Sequence, residues 1–289
     1  MKVLITGENG YIGSHIGEWI AEKEPDWEVE RLSVRDDAWK DKDFSSIDVI
    51  IHTAGIVHHP EIKDWFVYNK VNTVLTQDIA DKAKKDGVKQ FVFFSTMAVY
   101  GKEKKLQPNK ITLEDKPNPS SMYGKSKLLA EQKLQELESE GFRISIVRPP
   151  NVYGKACPGG YIAGFTKIVR LLPAIPFAYE NVKQSMIYID NVCELARLLI
   201  VDRIGGIFEP QDDHAVSAVE LMTGISNGLG LTRPKSKVLG FAVLLLSWLS
   251  IVRKAYGGIE YDDDLSKING SSYVVVPFTK GIQSTVAKL

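Results

Sequence analysis

Tyr123 and Lys127 stand four residues apart, one helical turn, so on a helix both side chains leave the same face and the ammonium can lie near the phenol. A free phenol titrates at about 10, and a neighbouring cation favours the phenolate, bringing the group toward proton transfer near neutrality. Taken alone, such a pair is more often two ordinary helix-surface residues. A second pattern is Gly7-Glu-Asn-Gly10-Tyr-Ile-Gly13, placed directly after the apolar run Lys2–Thr6. Glycines at this spacing permit a tight turn and let backbone N–H groups reach a pyrophosphate, with the positive end of the following helix facing the anion. Gly7, Gly10 and Gly13, with Tyr11 and Ile12 between the last two, are therefore candidate cofactor-binding residues. Without a ligand, the same turn is a plain strand-to-helix connection.

These groups need elements to position them. Apolar runs at Lys2–Thr6, Val29–Val34, Val49–His52, Phe91–Ser95 and Ile144–Val147 predict strands, and Ile12, Ile16 and Ile20 predict a helix packing one face on a sheet. Helical segments are expected over 61–86 and 121–140. Strands alternating with helices require crossovers and hence a parallel sheet. The predicted fold class is α/β, a Rossmann-like doubly wound parallel sheet with a smaller C-terminal α/β lobe. After Arg148-Pro149-Pro150 glycine and proline cluster, which divides the chain into a dinucleotide-binding domain over 1–150 and a mostly substrate-binding lobe over 151–289, with some segments returning to the first domain.

Composition narrows the function. Of 289 residues, 44% are apolar, and 36 Lys and Arg balance 36 Asp and Glu, so a sizeable core is expected and the neutrality argues against nucleic acid or an anionic membrane as the main partner, leaving room for local patches. Two cysteines, Cys157 and Cys193, make no disulfide framework and fit a reducing compartment. The opening residues lack a signal-peptide pattern, which makes the cytoplasm the expected location. The most apolar stretch, Val238–Val252, has fifteen uncharged residues, short of the roughly twenty that span a bilayer. A buried or lobe-capping helix is expected there, with a subunit contact or an interfacial segment as the other readings. His52, His58 and His59 have no ligand-spaced Cys or carboxylate beside them, so no metal site is expected. The Asp262-Asp263-Asp264 run reads as a solvated loop.

The segment Thr6–Gly13 (TGENGYIG), with Ser95–Gly101 (STMAVYG), Tyr123–Lys127 (YGKSK) and Arg148–Gly154 (RPPNVYG), resembles the extended short-chain dehydrogenase/reductases, the NAD-dependent epimerase/dehydratase family. The likeness runs to the tail, where Gly281–Thr285 is similar to that branch's closing helix. The resemblance implies that Tyr123 exchanges a proton with a sugar hydroxyl or ketone, that Lys127 also holds the nicotinamide ribose, and that Thr96 hydrogen-bonds the reacting oxygen. It further implies cofactor contacts at Ala54, Gly55, Pro149 and Pro150, and substrate contacts at Thr96, Met97, Tyr123 and Asn151. Relatives are often dimers through helices near the Tyr-Lys segment, so a homodimer is the assembly it implies.

Three departures carry information. Family members using NAD usually end the second strand with an acid that takes the ribose hydroxyls; here Ser33 falls there and Arg35 follows. An arginine can pair a 2'-phosphate, which favours NADP(H); with Arg35 as a surface side chain and Asp36 or Asp37 on the ribose, NAD(H) is the alternative. The dehydratases' Asp-Glu pair after the hydroxyl residue is Met97-Ala98, which cannot move protons, so hydride transfer at one carbon remains. Gln184 stands where the family carries an arginine for the substrate diphosphate, leaving Lys183, another cation or weaker binding to account for it.

The chain looks most similar to bacterial polysaccharide nucleotide-sugar 4-ketoreductases. That implies NADPH-dependent reduction of a UDP-4-keto-6-deoxy-N-acetylhexosamine. A UDP-hexose 4-epimerase with tightly held NAD is the runner-up, and a non-catalytic dinucleotide sensor a distant third.

Overall fold

The computed structural model describes residues 1–7, 9–57, 61–158, 160–268 and 272–287; the expectation for His58 and His59 lies outside them. In chain order the strands are β1 (Lys2–Thr6), β2 (Glu28–Leu32), β3 (Val49–His52), β4 (Gln90–Phe94), β5 (Lys110–Ile111), β6 (Arg143–Val147), β7 (Asn151–Tyr153), β8 (Ile175–Pro176), β9 (Lys183–Gln184), β10 (Met186–Tyr188), β11 (Gly206–Phe208), β12 (Val216–Ser217), β13 (Lys235–Ser236) and β14 (Glu260–Tyr261). The α-helices are α1 (Tyr11–Lys23), α2 (Trp65–Tyr68), α3 (Leu75–Lys85), α4 (Met122–Leu137), α5 (Gly160–Leu171), α6 (Ile189–Val201), α7 (Ala218–Gly228), α8 (Lys237–Leu245), α9 (Ser250–Tyr256) and α10 (Phe278–Val286).

Six strands form one parallel sheet in the order β11-β6-β4-β3-β1-β2. Its inner strands carry apolar residues on both faces, as a sheet covered by helices on both sides requires: Val3, Leu4 and Ile5 are fully buried, as are Ile50 and Ile51. The chain runs from β1 outward to β2, then returns to the other side of β1 with β3. That reversal opens a crevice at the carboxyl ends of β1 and β3, where ligands bind in such sheets. Register aligns the exits: Thr6 lies beside His52, His52 beside Phe93, and Phe94 beside Val147. The segments beginning at Gly7, Thr53, Ser95 and Arg148 therefore leave the sheet along one edge.

The second half of the chain is not separate from this sheet. β11 pairs with β6, and α6 packs on α1. Short strand pairs, β7 with β10, β9 with β12, β8 with β13 and β5 with β14, build the remaining lobe. The expected helix over 61–86 begins at Trp65, because the Asp64 carboxylate accepts from Phe66 N at 2.8 Å and caps it there. Between α2 and α3 the same helix widens into a π-helical turn, Asn69–Val74. The Asp262 run folds into a 3-10 turn, with the Asp262 side chain accepting from Asp264 N.

Residues 238–252 depart from expectation. The stretch is not a buried helix: it breaks into α8 and α9, and Val238, Trp248 and Ile251 are 80%, 73% and 70% exposed. Gly240 seats α8 against the Phe177 backbone, and Val252 and Tyr256 anchor α9, so among the described residues only one side of each helix has protein to cover it. Among the described residues no helix is long and apolar enough to cross a membrane.

Candidate active site

The glycine turn is built for a close approach. Gly7 has φ +86°, and a Cβ there would meet Ala54 N at 2.7 Å and Thr53 Oγ1 at 2.8 Å. Gly10 N–H donates to Gly7 O at 2.8 Å. Among the described residues helix α1 has no side-chain cap at Gly10 and no acidic residue in its first turn, and the start of a helix is a place where N–H groups and the dipole favour an anion. Ala54 lies against this turn, Gly55 lies against Asn72 and Lys127, and Ile12 faces the groove described below. The Tyr11 hydroxyl donates to Lys155 O at 3.0 Å and so ties the turn to the 154–157 loop. The glycine turn and its neighbours thus fit a dinucleotide: a cradle without Cβ atoms, a helix start, and Lys127 beneath Gly55.

Arg35 lies outside this gathering. It is exposed, beyond the end of β2. Its acidic neighbours are engaged: Asp36 accepts from Ala38 N at 3.1 Å, and Asp37 pairs with Lys40 at 2.8 Å.

Along the same edge stand the three candidate catalytic residues, Thr96, Tyr123 and Lys127. Thr96 follows β4 and caps a 3-10 turn, Met97–Tyr100, by accepting from Ala98 N at 3.2 Å. Helix α4 begins with Ser121 accepting from Gly124 N at 3.0 Å. Gly124 lets α4 meet that 3-10 turn, since a Cβ would come within 2.6 Å of Ala98 O. This close packing brings Tyr123 to the side of Thr96, and both line the larger of the two clefts described below. Burial pushes the Tyr123 phenol up to about 12, with the neighbouring Thr96 hydroxyl acting the other way. The downward shift expected from Lys127 is therefore not present. The Lys127 ammonium turns instead to Phe94 O, at 2.8 Å, and burial pulls it down to about 8.

Sequence reasoning missed what holds α4 in place. Asn72, on the π-helical turn, donates to Ile56 O at 2.9 Å and to Ser126 Oγ at 3.0 Å, and accepts from Ile56 N at 2.8 Å. Asn72 was detectable only as a poor helix former inside a helical segment. His52 is a core residue: its Nδ1 meets Thr6 Oγ1 at 2.6 Å and its Nε2 meets Thr76 Oγ1 at 3.0 Å. Because Thr76 already donates to Asn72 O, Nε2 carries the proton. Burial, then the Lys127 charge, lower His52 to about 3, so the ring is neutral.

Behind Thr96 lies a buried charge network. Arg148 donates to Glu131 Oε2 at 2.7 Å and to Glu209 Oε1 at 2.9 Å. Ser95 and Tyr100 hydrogen-bond the same two carboxylates. The network joins the ends of β4 and β6 to α4, which fixes Thr96, Pro149 and Tyr123 relative to one another.

Two adjoining clefts of about 430 and 230 Å³ share Thr96, Pro149, Pro150 and Asn151. Tyr123, Ile12, Cys157 and Thr285 line the larger, and Met97, Lys102, Lys104 and Gln184 the smaller. Lys183 is exposed while Gln184 is buried. Lys104, which sequence reasoning passed over, donates to Gln184 Oε1 at 2.9 Å, and its ammonium lies 4.6 Å from the Tyr161 ring centre. Burial lowers it to about 8. The other lysine, Lys102, is paired with Asp115 at 2.7 Å. No group of three or more His, Cys, Asp or Glu among the described residues could hold a metal ion.

Six parallel strands wound about a glycine turn, with Thr96, Tyr123 and Lys127 at their carboxyl edge, define a Rossmann-type short-chain dehydrogenase/reductase fold. The chain belongs to the NAD dependent epimerase/dehydratase family, whose model matches residues 3–204. A UDP-glucose 4-epimerase of Vibrio cholerae is 29% identical over 256 residues, 79% of this chain and 76% of that one. An N-acetyl-alpha-D-glucosaminyl-diphospho-ditrans,octacis-undecaprenol 4-epimerase of Escherichia coli O157:H7 is 26% identical over 295 residues, 95% of this chain and 82% of that one. A UDP-2-acetamido-2,6-beta-L-arabino-hexul-4-ose reductase of Pseudomonas aeruginosa is 29% identical over 197 residues, 66% of this chain and 47% of that one. Among solved structures, UDP-glucuronic acid 4-epimerase from Bacillus cereus with NAD has a TM-score of 0.73 at 20% identity, covering 100% of this chain and 96% of its own. RMD from Pseudomonas aeruginosa with NADPH has a TM-score of 0.74 at 18% identity, covering 100% and 99%. These two likenesses show a shared fold.

Proposed function

We propose that the protein reduces the C4 ketone of a UDP-4-keto-6-deoxy-N-acetylhexosamine with NADPH, forming UDP-N-acetyl-D-fucosamine or its C4 epimer, UDP-N-acetylquinovosamine, for polysaccharide assembly in the cytoplasm. The observation that carries this reading is the Tyr123 phenol, held protonated by burial and lining one cleft with Thr96. Ketone reduction needs a proton donor at the new alcohol, and Met97 and Ala98 beside it supply no second acid or base. The Pseudomonas reductase by its name acts on such a keto sugar.

When bound, the dinucleotide supplies the hydride for C4. Thr96 holds the C4 oxygen, Tyr123 gives it a proton, and the Pro149–Asn151 segment forms the wall between the two clefts. Gly7, Gly10 and Gly13 with the start of α1 hold the pyrophosphate, and Lys127 the nicotinamide ribose. The test follows absorbance of reduced nicotinamide with UDP-4-keto-6-deoxy-GlcNAc as substrate and UDP-GlcNAc as control. Stoichiometric oxidation with the keto sugar alone supports the reading; no oxidation with it overturns the reading.

The NADPH preference is assigned to Arg35, since Asp36 and Asp37 are occupied elsewhere. Arg35→Ala is expected to raise the KM for NADPH by ~10- to 100-fold, the loss of one or two charge-assisted hydrogen bonds, and to leave the KM for NADH nearly unchanged. Equal effects on both coenzymes would show that Arg35 does not read the 2'-phosphate.

Lys104 is assigned to the substrate diphosphate in place of the arginine the family carries at position 184. It is charged below about 8 and neutral above, so affinity for the sugar nucleotide is present at lower pH and lost as pH rises through that value. The wild-type KM for the sugar should therefore climb above about 8, and Lys104→Arg, which stays charged, should flatten that climb. An unchanged profile in the variant would remove Lys104 from the role.

A second reading is a UDP-hexose 4-epimerase that retains NAD, favoured by the Vibrio relative, which matches more of the chain than the reductase does. It predicts inversion at C4 of a control sugar with no net oxidation of added coenzyme.

A further inference from the structure

We infer that the α8–α9 face is a docking surface for an anionic lipid bilayer. The exposed side chains of Val238, Phe241, Leu245 and Trp248 recur at intervals of three and four residues, which places them on one side of α8 and its exit, and Ile251 continues the apolar surface onto α9. The opposite side is seated on the protein through Gly240, Val252 and Tyr256. A patch of this kind, apolar and lying on short helices, suits insertion at the headgroup boundary, and tryptophan is enriched at that depth.

Charge selects the occupant. The chain as a whole is neutral, yet residues 221–259 contain no Asp or Glu and five cations, Arg233, Lys235, Lys237, Arg253 and Lys254. Among the described residues only Lys235 has an ion-pair partner, Glu180 at 3.0 Å, while Arg233 donates to the Val169 and Arg170 carbonyls. Lys237 precedes the apolar run, and Arg253 and Lys254 end it, all three exposed. In a two-fold contact between copies, the same patch meets itself, so these cations would face one another unpaired. An anionic surface instead attracts them, as it does basic segments beside membranes. The patch also adjoins the groove: Gly258 bridges to Lys105, and Ile259 lines the cleft with Lys104 and Gln184. Docking therefore sets the smaller cleft beside the headgroups.

The test is flotation of the full chain with vesicles of phosphatidylcholine alone or mixed with phosphatidylglycerol. The wild type should float with the mixed vesicles and remain below with phosphatidylcholine. Phe241→Glu with Trp248→Glu should abolish flotation, and Arg253→Glu with Lys254→Glu should lower it by about tenfold or more. Both pairs lie away from Thr96, Tyr123 and Lys127 and should keep turnover on a soluble sugar nucleotide, which separates lost docking from lost folding. Failure of the wild type to float, or equal flotation with both vesicle types, overturns the proposal. So does a concentration-dependent dimer, seen by sedimentation without lipid, that Phe241→Glu dissociates.

Discussion

Tyr123→Phe is expected to lower kcat for ketone reduction by ~10²- to 10⁴-fold, the usual contribution of a positioned proton donor, with NADPH affinity nearly unchanged. The substitution removes one hydroxyl and keeps the ring in its buried place on α4. Because the phenol is held protonated to about 12, it is the proton-loaded form across the physiological range. The wild-type kcat should accordingly show no decline from phenol ionisation between neutrality and about pH 10, well below that value. Single-turnover rates with the keto sugar, paired with NADPH titration by fluorescence, check both parts. A variant within tenfold of wild type would mean that the C4 oxygen takes its proton from another group.

Arg148→Met should be the most damaging single change to stability. Arg148, Glu131 and Glu209 are almost wholly buried, and removing the cation leaves two carboxylates facing each other in the interior. Breaking a buried pair in this way costs ~3–5 kcal/mol, which for a chain of this size corresponds to a fall in Tm of ~10 °C. The loss should extend to catalysis, since the same residues tie the ends of β4 and β6 to the helix that carries Tyr123. Thermal unfolding followed by circular dichroism measures it. A change in Tm of only a degree or two would show that the network is not needed to hold the edge.

Much of this arrangement was legible before the fold was known, and the reason is local. The central strands are short apolar runs because both of their faces are covered, and the glycine turn is contiguous in sequence, so Gly7, Gly10 and Gly13 identify themselves. Tyr123 and Lys127 share a turn of one helix. What the sequence could not disclose depends on segments far apart in the chain. Lys104 becomes a cleft residue only when the stretch after the 3-10 turn folds against Gly257 and Gly258, and Asn72 becomes a clamp only through a π-helical turn that has no plain sequence signature. The direction of the Tyr123 shift was misjudged because helical spacing shows proximity along the helix but not burial, and burial prevails. Residues 238–252 misled for the converse reason. Apolar composition measures the gain available from burial, and here the described residues supply a partner for only one side of α8 and α9.

The most direct test of the central claim is transfer of deuterium from C4-deuterated NADPH to UDP-4-keto-6-deoxy-GlcNAc, read by mass spectrometry and NMR of the product sugar. The account predicts one deuteron at sugar C4 for each NADPH oxidised. An inverted C4 in a control sugar without label from added coenzyme would contradict it and establish the epimerase.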